Sequence, residues 1–142
     1  MTLPPDDCQD CFRGITGEDK IFGASTDISV FAPDRDNPVR ENWLGASVNW
    51  NLSDGGALDE IKNRRKRNGE PQFKGGAVQL PRNGMDSIIK RYGVESFSYE
   101  LVEENGNIYH GHLLFSSSLI KERRAAIYGA LSYIASATHK WE

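Results

Sequence analysis

The run "SFSYELVEENGNIYHGHLLF", residues 96–115, constrains this chain more than any other stretch in it. Two alternating segments meet at Asn105-Gly106. Both residues tolerate the positive φ of a type I′ turn, whose twist matches that of paired strands. The pattern predicts a β-hairpin over about 97–115. Counting outward from a two-residue turn sets Glu104 opposite Asn107, Leu101 opposite His110 and Tyr99 opposite His112. Side chains alternate across a strand. Phe97, Tyr99, Leu101, Ile108, His110, His112 and Leu114 are therefore expected on one face. Ser98, Glu100, Val102, Tyr109, Gly111, Leu113 and Phe115 are expected on the other. Neither set is polar, which predicts cover on both sides of the hairpin.

A two-stranded hairpin is marginal in water, so the remainder of the chain must supply that cover. Its 142 residues suffice for one domain, burying roughly two-thirds of the unfolded surface. "WLGASVNWNL" places Leu44, Ala46, Val48, Trp50 and Leu52 on one side, which predicts a strand. "SDGGALDEIKNRRKRNG" predicts a helix capped by Ser53 or Asp54, with Ala57, Leu58 and Ile61 inward and Gly69 as its stop. "FKGGAVQLP" predicts a strand ended by Pro81. "NGMDSIIKRYG" predicts a short helix with Met85, Ile88 and Ile89 inward and Gly93 as its stop. "SSSLIKERRAAIYGALSYIASATHKW" predicts the longest helix, with Leu119, Ile120, Ile127, Ala130, Leu131 and Ile134 recurring at three and four.

Residues 1–42 differ in character. They contain Pro4, Pro5, Pro33 and Pro38, many aspartates, and a single apparent strand, "DISVF", Asp27 to Phe31. Proline removes a ladder donor, and Asp and Asn favour local turns. This region reads as an ordered, irregular arm laid on an α+β core at 43–142, the whole being one domain, 1–142. The predicted architecture is α+β. A mixed, partly antiparallel sheet carries three helices mainly on one face.

The chemistry-bearing residues are few: the chain has three histidines and two cysteines. His110 and His112, two apart on a strand, project the same way with Cα atoms about 7 Å apart. That spacing suits a metal, and "DDCQDC" gives Cys8 and Cys11 the Cys-x-x-Cys spacing of a zinc grip. Together they define a candidate structural zinc site that would pin the arm to the hairpin. Against it, histidines flanked by Phe, Tyr and Leu more often sit as partly buried, hydrogen-bonded rings. A lone Cys-x-x-Cys is a weak signal, and two reduced, idle thiols are the simpler reading, with no cofactor. The register above also turns Glu100 away from His110.

"KNRRKRNG", from Lys62 through Arg67, together with "KERR" at 121–124, suggests a basic patch for nucleic acid, with Arg64 and Arg65 at its centre. Stacking aromatics are absent from that run, and cations at a helix end are favoured by the macrodipole anyway. Neither Gly-Gly pair matches a phosphate loop. A net charge of −3 gives little steering toward anionic partners. No apolar run approaches the ~20 residues of a membrane span, and "MTLPPDDCQD" lacks the marks of a signal peptide. The expectation is a cytoplasmic protein without a membrane partner.

With no assembled catalytic set, the first reading is a small macromolecule-binding protein: an inhibitor, immunity factor, adaptor or complex subunit. Its partner is expected to be another protein, met around Trp43, Tyr109 and Phe31, because exposed aromatics are enriched at interfaces. The second reading is a small hydrolase or transferase using His110 and His112. The third is a nucleic-acid-binding module using the Lys62–Arg67 helix end. A cleft holding both imidazoles beside a carboxylate would favour the second.

Overall fold

The computed structural model describes residues 2–16, 21–22, 25–26, 28–34, 38–135, 137–139 and 141. Its elements in chain order are β1 (Asp10–Ile15), β2 (Ile21–Phe22), β3 (Ser25–Thr26), a 3₁₀ turn (Ile28–Phe31), β4 (Trp43–Trp50), α1 (Ala57–Asn63), β5 (Gly76–Pro81), α2 (Arg82–Tyr92), β6 (Phe97–Leu101), β7 (His110–Ser116), α3 (Lys121–Ile134) and β8 (Ala137–His139). The class is α+β. Six strands form one sheet in the order β6-β7-β4-β1-β5-β8, and each described pair in it is antiparallel.

The region expected to be an irregular arm supplies the sheet with a central strand. β1 runs between β4 and β5, with Cys11 opposite both Trp50 and Leu80. In "DCFRGI" Cys11 and Ile15 alternate inward, but Arg13 between them masks the period. The predicted strand at Asp27–Phe31 is not one: Ile28–Phe31 form a 3₁₀ turn, and Asp27 lies outside the described residues.

The hairpin turn forms where expected. Asn105 and Gly106 have φ of 53° and 82°, and Glu104 bridges Asn107. Beyond the turn the register departs from the simple count. Phe97 pairs with Phe115, Tyr99 with Leu113, Glu100 with His112 and Leu101 with Gly111. Ile108 and Tyr109 make an extra turn, and Val102 N–H reaches His110 O at 2.9 Å. One more residue is thus spent on the returning strand, a β-bulge. Because side chains alternate with period 2, that single residue moves every side chain of β7 to the opposite face from the one counted.

The sheet consequently has two unlike faces. On the first, Val48 and Trp50 of β4, Phe97 and Tyr99 of β6, and Leu113 and Phe115 of β7 pack with Met85, Ile88, Ile127 and Leu131 of α2 and α3. Trp50 spans the bulge side of this face, donating its indole N–H to Glu100 O at 2.9 Å. Gly111 leaves it room, since a Cβ there would collide with that carbonyl and with the indole. On the second face α1 covers only one end, where Ala57 and Ile61 meet Phe12 and Ala77. The helices therefore divide two and one between the faces.

Helix ends also differ from the pattern. α1 stops at Asn63, since Arg64 turns extended at ψ 134°. The chain then folds back at Asn68-Gly69, with Arg65 bridging Pro71. Neither Ser53 nor Asp54 is its N-cap; Gly56 is, its N–H donating to Asp54 Oδ1 at 3.0 Å. α3 ends at Ile134, and Ala137–His139 pairs along β5 as an edge strand.

Candidate functional site

On the second face, where no helix covers the middle of the sheet, a cleft of about 760 Å³ opens, with His110, His112, Ser47, Asn49, Arg13 and Glu104 among its lining. β4 and β7 set its floor. Their register places Ser47 opposite His112 and Asn49 opposite His110.

One wall is built where β1 and β4 part. Their pairing ends at Phe12 and Asn49, so the backbone of Ser47 loses its strand partner. Side chains take that place. Arg13 Nη1 donates to Ser47 O at 2.6 Å, and Ser47 N–H donates to Asp34 Oδ2 at 2.8 Å. Arg13 also donates to the carbonyls of Val30 and Ala32, and pairs with Asp34 at 2.8 Å. This explains how a charged side chain sits within a central strand: its donors are spent on backbone oxygens that would otherwise be orphaned. Burial alone would raise the Asp34 pKa, but the Arg13 charge and the bonds from Arg13 and Ser47 bring it below the usual carboxylate value.

The other wall is the bulge. Asn49 is buried, donates to Ala57 O and Glu60 Oε2, and accepts from Asn107 Nδ2 at 2.9 Å. Asn107 Oδ1 in turn accepts from Tyr109 N–H at 3.0 Å. These bonds fix the residue that shifts the register, and with it the aim of both imidazoles.

The two rings meet edge to face, centroids 4.8 Å apart. His110 is well held. Its Nδ1 lies 2.9 Å from Val102 O, an acceptor only, so Nδ1 carries the proton and Nε2 presents a lone pair to the Ser47 hydroxyl at 3.3 Å. Glu104 Oε2 approaches the same Nδ1 at 3.5 Å. His112 is less settled. It is only 8% exposed, yet its Nδ1 has no hydrogen-bond partner among the described residues, Glu100 Oε2 standing 4.0 Å away. Burial lowers its pKa, and neighbouring His110 lowers it further. Glu100 itself is buried beneath this pair and held by Arg40, whose Nη2 donates to both carboxylate oxygens at 2.8 and 2.9 Å.

The residues singled out by sequence are redistributed. Cys8 and Cys11 lie in the apolar cluster of the first face, across the sheet from His110 and His112. The Cys₂His₂ arrangement therefore does not assemble. Burial raises both thiol pKa values, that of Cys11 well above normal. Among the described residues, the group of potential metal donors that does come together is Glu104, His110 and His112. Phe31 is fully buried and offers nothing to a partner. Trp43 is half-buried at the end of β4, and the Tyr109 hydroxyl is bound to Asp54 Oδ2 at 2.7 Å. Arg64 lines the cleft but is occupied by Glu60 through two bonds of 2.6 Å. Arg65 is exposed on the turn that follows.

Sequence reasoning missed Arg13, Asp34, Ser47, Asn49 and Arg40, and placed Glu100 on the wrong face. The bulge was the missing signal, since correcting the register by one brings Glu100 beside His112. No family model, curated protein or solved structure matches the chain, so function must be argued from these residues.

Proposed function

We propose that the cleft is an active site and that the protein is a small hydrolase or transferase working through His110 and His112. One observation carries this reading: two buried imidazoles and the Glu104 carboxylate share an open cleft, with His112 Nδ1 unpartnered among the described residues. A buried polar atom without a partner costs about 1–3 kcal/mol, which a substrate group or proton transfer would offset. Burial and neighbouring His110 lower the His112 pKa, which favours the neutral ring, with a lone pair to offer a proton or an electrophile. His110, locked as the Nδ1–H tautomer, orients the second ring. Two buried free thiols suit a reducing, cytoplasmic setting.

The test is turnover of chromogenic acyl, phosphoryl and glycosyl substrates by wild type and His112→Gln. Activity that falls at least 100-fold in a variant with unchanged melting temperature supports the proposal. Equal rates in both proteins across all three classes would sink it.

A second reading keeps the protein a binder. Because α1 stops at Asn63, Arg65, Lys66 and Arg67 lie exposed on a tight reversal and not around a helix. Such a turn suits contact with nucleic-acid phosphates or an acidic protein partner. Retardation of RNA or DNA that weakens with salt and disappears in Arg65→Gln/Arg67→Gln supports it; retardation unchanged by that double substitution removes it. Of the described residues, no helix is long and apolar enough to cross a membrane.

A further inference from the structure

The geometry points to a mononuclear site for a divalent transition-metal ion held by Glu104, His110 and His112; this inference rests on the cleft being the working site. One donor atom from each residue lies within 4.8 Å of the other two. Donors around a tetrahedral ion at 2.0–2.1 Å stand about 3.4 Å apart, so the set must close, and Glu104, now 3.5 Å from His110 Nδ1, must swing toward the Nε2 side. The parts that must move can do so. Glu104 is on the hairpin loop with its side chain 53% exposed, and His112 Nδ1 has no hydrogen bond among the described residues to give up.

The surroundings are already those of metal-bound histidines, whose second ring nitrogen is normally tied to a carbonyl or carboxylate. His110 Nδ1–H is tied to Val102 O at 2.9 Å, leaving Nε2 as donor, with only a 3.3 Å serine hydroxyl to displace. His112 Nδ1 faces Glu100 Oε2 at 4.0 Å. The same small movement that brings His112 to an ion would bring that nitrogen toward its carboxylate. This buried nitrogen therefore stands near an Arg40-anchored carboxylate, the kind of second partner that metal-bound histidines use.

Charge agrees. Glu60 neutralises Arg64, Asp34 neutralises Arg13 and Arg40 neutralises Glu100. Glu104 alone then leaves the pocket with one net negative charge, which a dication converts to one positive. Three protein donors with the remaining side open to a cleft is the arrangement of catalytic rather than structural zinc sites. Histidine and carboxylate donors without thiolate favour zinc or iron(II). The cysteines, across the sheet, take no part.

Co²⁺ is the probe, added to chelator-stripped protein and followed by its visible absorption, with Zn²⁺ as competitor. Saturation at one equivalent with micromolar or tighter affinity, lost tenfold or more in both His112→Gln and Glu104→Gln, is expected. Glu104→Gln alters a half-exposed loop residue and guards against misfolding of the histidine variant. Absence of saturable binding below millimolar Co²⁺, or binding unchanged in Glu104→Gln, overturns the site. Turnover that persists after exhaustive chelation likewise overturns the metal and leaves the cleft reading intact. One-equivalent binding with no turnover of any substrate class upholds the metal and removes the enzyme.

Discussion

The helix-covered part of the first face and the floor of the cleft on the second are buried to much the same degree and are built on opposite principles. Under α2 and α3, Trp50, Phe97, Leu113 and Phe115 are all fully covered and apolar. On the reverse, Asn49, Ser98, Glu100, His110 and His112 are between 2% and 8% exposed and polar. The first face is favourable wherever apolar area leaves water, in any orientation that packs. The second is tolerable only where each donor finds an acceptor. Asn49, Glu100 and His110 meet that demand with specific partners, and His112 Nδ1, among the described residues, does not. A face organised this way is costly for stability alone, which is why its one unmet atom marks the candidate site.

The largest test of this contrast lies on the apolar side. Phe115 packs on Phe97 at 5.5 Å and on Tyr128 at 5.1 Å between centroids. Phe115→Ala should destabilise by about 3–5 kcal/mol through lost burial and the cavity left behind. Urea unfolding measures it, and a loss below about 1.5 kcal/mol would mean this face is not the packed one.

A smaller effect is expected at the wall of the polar face. Asp34→Asn weakens the charge-assisted bond to Ser47 N–H and the pair with Arg13, costing about 1–2 kcal/mol. The ion-pair share is discounted, because the carboxylate is 40% exposed. Its pKa is lowered on folding. The stabilisation is thus complete above the unfolded value of about 3.9 and fades as pH falls through the lower folded value. Melting temperatures from pH 6 down to pH 2 should converge for the two proteins at the acid end. A gap that stays constant over that range would show that Asp34 charge contributes nothing.

How much of this was legible follows from the Asn-Gly dipeptides. Asn105-Gly106 reads as a hairpin turn and is one. Asn68-Gly69 carries the same signal, with Gly69 at φ 87°, yet after the helical pattern from Ala57 it reads as a helix stop, where glycine is equally at home. Asn83-Gly84 lies inside the first turn of α2. Turn chemistry locates a reversal only where flanking segments have somewhere to pair, and pairing is decided at long range. The bulge illustrates this further. Ile108 and Tyr109 have ordinary strand propensity, and the extra residue is fixed by Asn107 and Asn49, 58 positions apart in the chain. Both imidazoles share one face, as their spacing predicts. That the face is polar, and shared with Glu100, depended on that one distant bond. β1 was hidden for a related reason, since Arg13 is explained only by carbonyls from Val30, Ala32 and Ser47.

The smallest effect is the most informative. His112 is as buried as many core side chains, and by burial alone His112→Leu should be severe. Its Nδ1, however, is stripped of water and has no hydrogen-bond partner among the described residues. Leucine is close in volume, removes that orphan and fills the space with carbon, a kind of exchange that is often neutral or stabilising. The net change should lie within about 1 kcal/mol of zero by urea unfolding, against several for Phe115→Ala. A loss above about 2 kcal/mol would show that His112 is a satisfied structural ring and that the polar face exists for the fold. A loss near zero, coupled to loss of turnover or of Co²⁺ binding, would show the reverse: the fold bears the cost of this nitrogen, and the cleft is where it is used.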